Sequence, residues 1–190
     1  MATDLKTRNK IQPQKMYLYA GLGSIVMMFA GLTSAYIVKK SQANWLDFEL
    51  PKVFFIATVV ILLSSFSIQM AVKKAKEGQP NPYRGFLSVT AILGVVFMIL
   101  QVQGFMELQA NNIALTGPRS NSAASFLFVI TLLHLLHVLG GVIALIGVSF
   151  KSFSVKNNLE NTLPVELLST YWHFVDILWI YLFVFLHWIG

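Results

Sequence analysis

The chain has 190 residues, of which 56% are hydrophobic and only 12% charged, with a formal net charge of +6. A soluble domain of this size carries roughly 25% charged residues, so this composition cannot cover a water-facing surface. The absence of cysteine excludes disulfides, thiolate metal sites and cysteine nucleophiles.

The first 16 residues, MATDLKTRNKIQPQKM, are polar and basic. They predict a cytoplasmic tail, and with no apolar core ahead of Tyr17 they predict no cleaved signal peptide. Residues 17–190 then read as one unit. A helix needs about 20 apolar residues to cross a bilayer. Five stretches qualify in turn: 17–38, 53–72, 86–108, 123–150 and 166–189. Each must be helical, because lipid offers backbone groups no hydrogen-bond partner. The runs do not alternate apolar and polar residues, which excludes an outer-membrane barrel. The expected fold is all-α, an integral membrane bundle of five transmembrane helices.

Between the spans lie short polar loops rich in turn formers, with Gly78, Pro80 and Pro82 in one, Gly117 and Pro118 in another and Pro164 just before the last span. Ten lysines and arginines fall on the side of the N-terminus and four, Lys39, Lys40, Lys52 and Arg119, on the other. The positive-inside rule then puts the N-terminus in the cytoplasm and Gly190 outside. Basic residues placed between apolar runs fit membrane orientation and give no reason to expect nucleic acid as a partner.

Polar residues inside the spans need an account, since an Asp at a helix centre costs about 2.5–3.5 kcal/mol on insertion scales. On the third span, Gln101 is expected to hydrogen-bond across helices, and Glu107 to sit at the membrane interface. Gly31 with Ala35 on the first span, and Gly140, Gly141, Ala144 and Gly147 on the fourth, form small-residue faces for close packing. His134 and His137 are three apart on the fourth span. Haem ligation is one reading; imidazoles hydrogen-bonded between helices is the favoured one. On the fifth span His173 and Asp176 are also three apart, and Trp172, Asp176 and Trp179 share a stripe. The pair can clasp neighbouring helices or each other, or form a proton-accessible or headgroup site. The chain offers no phosphate loop, zinc ligand set or nucleophile with a base, so no catalytic, cofactor-binding or metal residue is assigned.

The segment YWHFVDILWIYLF, 171–183, resembles the last-helix signature of subunit III of the haem-copper oxidases, roughly YWHFVDVVWLFLF. Other segments follow in collinear order. SIVMMFAGLTSAY, 24–36, resembles the first core helix of that family, and SSFSIQMAV, 64–72, its serine-rich second. TAILGVVFMILQ, 90–101, is similar to its T-x-x-LG-x-x-F-x-x-x-Q helix, and HLLHVLGG, 134–141, to its HGLHVIIG-type helix. The resemblance covers about 17–190 and matches the short five-helix bacterial form. There are departures. Ile25 stands where the family often has a buried glutamate after the serine matching Ser24. Gly104-Phe105 replaces a common Glu-Tyr, Thr162 a histidine and Thr170 a tryptophan. Glu107 and Glu166 are kept.

The resemblance implies an accessory, non-redox subunit of a proton-pumping terminal oxidase that reduces O₂ to water, in the bacterial plasma membrane. It implies packing on catalytic subunit I, with subunit II and a small subunit IV as further partners and a respiratory supercomplex as a possible setting. Haem and copper would lie in the partner subunits and phospholipid in a cleft of this one. Gln101, Glu107, His134, His137, Glu166, Trp172, His173 and Asp176 are then structural or cleft-lining residues. Cytochrome c is the expected electron donor; a quinol oxidase is the alternative, and a haem-binding electron carrier a distant one.

Overall fold

A computed structural model describes residues 13–41, 45, 50–111, 113, 115, 117, 121–154 and 162–189. Lys6, Arg8, Lys10, Arg119 and Lys156, which entered the charge asymmetry, lie outside the described residues, as does most of the basic tail. Five helices account for the fold: α1 (Pro13–Lys40), α2 (Lys52–Lys76), α3 (Pro80–Ala110), α4 (Ser122–Ser154) and α5 (Leu163–Ile189). All five are long and apolar enough to cross a membrane. Each contains its predicted span and extends past it. At about 1.5 Å per residue, the 31 residues of α3 reach about 46 Å, well beyond a hydrocarbon core of about 30 Å.

The helix ends follow from local chemistry. Pro13, Pro80 and Pro164 sit in first turns, where a missing N–H costs nothing, and Pro51 precedes α2. Gly78, at φ 68°, ends α2. Its N–H donates to Ala75 O at 3.1 Å and that of Gln79 to Lys74 O at 3.0 Å, the paired bonds of a left-handed glycine stop. Beside this turn Lys74 Nζ lies 2.8 Å from Glu77 Oε2. That hydrogen bond, with the charges of Lys74 and Lys73, holds the Glu77 carboxyl below the usual range. Asn121 caps α4, its Oδ1 accepting the Ala123 N–H at 2.9 Å.

Four helices form a closed ring in the order α2, α3, α4, α5. Each packs on the next, and the α2/α4 and α3/α5 diagonals have no close backbone approach. The centre is filled by side chains instead, with Trp172, Trp179, Phe97, Ile61 and Leu127 all fully buried. α1 lies outside the ring against α4 and α5, and makes no close backbone approach to α2. Three contacts fasten it along α5. Lys15 Nζ is 3.9 Å from Glu166 Oε2 near the helix starts, the Tyr181 hydroxyl is 3.1 Å from Thr33 Oγ1 midway, and Lys40 Nζ donates to Ile189 O near the ends. α1 and α5 therefore run parallel. Lys76, at the end of α2, is 3.3 Å from Glu166 at the start of α5, and Arg84 near the start of α3 reaches Ser152 at the end of α4. The starts of α1, α3 and α5 thus share one side of the bundle with the ends of α2 and α4.

Small residues matter where the ring is tightest. A Cβ at Gly94 would lie 2.7 Å from Trp172 Cη2 and 2.9 Å from Val142 Cγ2, and one at Gly141 3.0 Å from Trp172 Cζ3. The expected small-residue faces are only partly used within the subunit. Gly31 and Gly147 meet nothing within 4 Å, and Gly140 meets only the Tyr171 hydroxyl at 3.9 Å. Of the glycines named from sequence, Gly141 alone admits an indole. Gly94→Ala is therefore expected to destabilise the subunit by about 1–3 kcal/mol through overpacking, with Gly147→Ala close to neutral. Detergent-titrated unfolding of the purified protein measures both.

Candidate functional site

On α5 two tryptophans present indole N–H groups to the interior, and α2 supplies their acceptors. Trp172, Asp176 and Trp179 face the ring centre at 1%, 2% and 1% exposure. The indole N–H of Trp172 donates to Ser64 Oγ at 3.0 Å, and that of Trp179 to Thr58 Oγ1 at 3.0 Å. Thr58 in turn donates to Phe54 O at 2.8 Å and Ser64 to Ile61 O at 2.7 Å, both back along α2. Each hydroxyl thus relays an indole hydrogen bond into a carbonyl of its own helix. Phe54 packs against Trp179 with ring centroids 6.2 Å apart, closing the seam toward the far end of α2.

His173 turns to the outer edge of the same seam. Its Nδ1 is 2.6 Å from Ser65 Oγ and its Nε2 3.1 Å from Gln69 Oε1. It makes no hydrogen bond to Asp176. The clasp between the two, open from the sequence, is replaced by a clasp from His173 to α2. Asp176 is the fourteenth of the 27 residues of α5, at its midpoint. Neither carboxylate oxygen has a hydrogen-bond partner among the described residues.

Two other expectations are corrected. Gln101 is fully buried on α3, yet neither amide atom finds a partner among the described residues. The expected bond across helices is not made. His134 is likewise fully buried with both ring nitrogens unpartnered. Rings enclose it instead: Trp179 at 5.2 Å, Phe97 at 6.0 Å and Phe29 at 6.4 Å between centroids. His137, half-buried, binds its own helix, with Nδ1 2.7 Å from Leu133 O. Its carbonyl accepts the Tyr171 hydroxyl at 2.9 Å. So, among the described residues, the imidazoles of α4 make no hydrogen bond to another helix. Among the described residues no cluster of three or more His, Cys, Asp or Glu could hold a metal.

The two glutamates sit at the ends of helices. Glu107 is exposed in the last turn of α3. Glu166, in the first turn of α5, gathers Lys15 of α1 and Lys76 of α2 and accepts from the Thr162 hydroxyl at 3.2 Å. It is the link between two helices whose backbones do not meet. On α5 the exposed residues Ile177, Tyr181 and Val184 face outward between α1 and α2.

Thr58, Ser64, Ser65 and Gln69 were not singled out from sequence as site residues. The signal was present in SSFSIQ, a cluster of hydroxyls and an amide within an apolar span. Its use depends on which helix it meets, and neighbours are not encoded in spacing along one helix.

A family model described as cytochrome c oxidase subunit III matches residues 44–190, which takes in α2 to α5. A probable cytochrome c oxidase subunit 3 of Nocardia farcinica (strain IFM 10152) is 33% identical over 168 residues, covering 85% of this chain and 81% of its own length. A cytochrome bo(3) ubiquinol oxidase subunit 3 of Buchnera aphidicola subsp. Acyrthosiphon pisum (strain APS) is 30% identical over 190 residues, covering 95% and 90%. A probable cytochrome c oxidase subunit 3 of Mycobacterium bovis (strain ATCC BAA-935 / AF2122/97) is 32% identical over 174 residues, covering 88% and 84%.

If the α2–α5 seam holds the ring, Trp172→Phe and Ser64→Ala should be coupled. A double-mutant cycle on unfolding is expected to give about 0.6 kcal/mol, the average for hydrogen bonds between membrane helices. A coupling of zero would show that the indole bond contributes nothing.

Proposed function

The chain belongs to the cytochrome c oxidase subunit III family, and from that premise we propose that it is the non-redox accessory subunit of an oxidase that takes electrons from cytochrome c. It is subunit III of a haem-copper oxidase and a multi-pass plasma-membrane protein. In the proposed role it packs on the catalytic subunit I, beside subunit II and a small subunit IV, with its N-terminus in the cytoplasm. The family model and two of the three relatives cited carry cytochrome c oxidase in their descriptions. The Buchnera relative, which covers more of the chain than the other two cited, is described as a ubiquinol oxidase subunit, and it keeps a quinol donor as the second reading.

The interior supports a structural role. The indoles of Trp172 and Trp179 are spent on contacts with α2 and His134 is enclosed by rings, an enclosure that speaks against haem ligation there. Haem and copper belong to the partner subunits in this reading. Phospholipid fits the outward gap between α1 and α2. Its floor is Ile177, Tyr181 and Val184, and Lys15 and Lys76 stand at one rim. Acyl chains match such a floor and a phosphate matches such a rim. Gln101, Glu107, His134, His137, Glu166, Trp172, His173 and Asp176 then act as packing or cleft-lining groups that keep the subunit seated and support proton uptake by the assembly.

The orientation rests on charge. Lys15, Lys73, Lys74, Lys76 and Arg84 gather on the side that holds the start of α1, and Lys39, Lys40 and Lys52 on the other. A mild-detergent pull-down of the tagged chain is expected to bring down a haem-bearing and a copper-bearing subunit. That assembly should consume O₂ with reduced cytochrome c and not with ubiquinol. Turnover on ubiquinol alone would move the chain to the quinol branch. Recovery of the chain without a haem protein, from an extract that still holds intact oxidase, would overturn the accessory-subunit role.

A further inference from the structure

A cavity lies between α2, α4 and α5 toward the end of the bundle opposite the start of α1. Leu50, just before α2, and Phe54 on α2 form one wall. Leu127 and Thr131 on α4 form the second, and Trp179, Phe183 and Leu186 on α5 the third. The cavity measures about 10 Å³ to the centre of a water-sized sphere, the room that one very small molecule needs.

Its wall turns only apolar atoms inward. Thr131 gives it no polar atom, and the Trp179 indole N–H is committed to Thr58 Oγ1 at 3.0 Å. A buried water needs about two to four polar partners, and this wall supplies none. Nor can the wall close up on itself. The Thr58 bond fixes the Trp179 indole. The Phe54 ring is seated against Gly104, where a Cβ would lie 2.8 Å from Phe54 Cζ. Packed interiors relax only partly around such a space, so its lining forgoes dispersion contacts. A small apolar molecule restores those contacts at the cost of no hydrogen bond.

Five of the lining residues are buried, while Leu50 and Phe183 are half-buried. Among the described residues these two form the mouth, at the edge where α2 meets α5. Phe55, exposed beside Phe183 with ring centroids 6.5 Å apart, makes the approach apolar too. A solute dissolved in the hydrocarbon reaches this mouth without crossing a polar surface. We propose that the cavity is a binding site for one small nonpolar gas molecule, loaded from the membrane at the α2–α5 edge. Its size excludes aromatic rings and its wall excludes polar solutes. Dioxygen is the member of that class that an aerobic respiratory membrane carries. Its choice as natural occupant rests on the oxidase reading; the cavity itself does not.

Crystals of the intact assembly under xenon pressure test this, because xenon is apolar, small and located by its anomalous scattering. The expected result is a peak in van der Waals contact with Phe54, Leu127 and Trp179, and crystals under dioxygen should hold density at the same place. Leu50→Phe, at the mouth, should abolish the xenon peak. Leu127→Ala, which enlarges the cavity, should strengthen it; where that variant does not assemble, Leu186→Val enlarges the cavity more gently. Four results overturn the proposal: no peak there in crystals that take up xenon elsewhere, an ordered water or lipid chain in its place, no density under dioxygen, or an unchanged xenon peak in Leu50→Phe. A failed pull-down would remove dioxygen as the natural occupant and leave the xenon site. An absent xenon site would leave the oxidase reading standing.

Discussion

Two indole N–H groups organise this subunit. In lipid there is no water to accept them, so Trp172 and Trp179 must be satisfied by protein, and the acceptors are the hydroxyls of Ser64 and Thr58 on α2. Once those bonds are made, the face of α5 between them has no freedom to turn. Asp176 is carried to the centre, the Trp172 ring is laid against Gly94 and Gly141, and Trp179 meets Phe97 edge-on and His134 at a tilt. The ring of four helices closes around that stripe. α1 is then an outer strut, tied to α5 at its start, middle and end, with Glu166 of α5 joining it to α2.

The five spans were legible because twenty or so apolar residues in a row have one structural solution in a bilayer. The helix ends ran past the spans for an equally simple reason. Proline-led first turns and polar last turns are helical too, and hydropathy marks only the hydrocarbon part. The helix order around the ring was not legible. A helix that is apolar all round gives no stripe from which to read its neighbours, and the contact that sets the order joins α2 to α5 across about a hundred residues.

The paired polar residues show where spacing misleads. Residues three apart lie on one side of a helix but about 60° from each other around its axis. At the centre of a tight ring that angle separates inside from edge. It sends Asp176 inward and His173 to the α2 seam. On α4 it buries His134 among rings and leaves His137 half-buried on its own backbone. The expected bond at Gln101 fails differently: the levels around it are filled by Phe97 and Phe105, and an amide needs a polar neighbour that those positions do not supply. The family signature was legible because it is long, and it spans the positions that the α2–α5 seam makes geometrically demanding.

α5 presents its tryptophan stripe to α2 and to the ring centre, and in the proposed role the outside of the bundle meets the oxidase. A cryo-EM map of the purified assembly tests it most directly. The expected map has Trp172 Nε1 within hydrogen-bonding distance of Ser64 Oγ, α1 outside the ring, and a haem-bearing subunit against the exterior of this chain. A map in which Trp172 faces lipid or a partner subunit, with α2 and α5 apart, would contradict it.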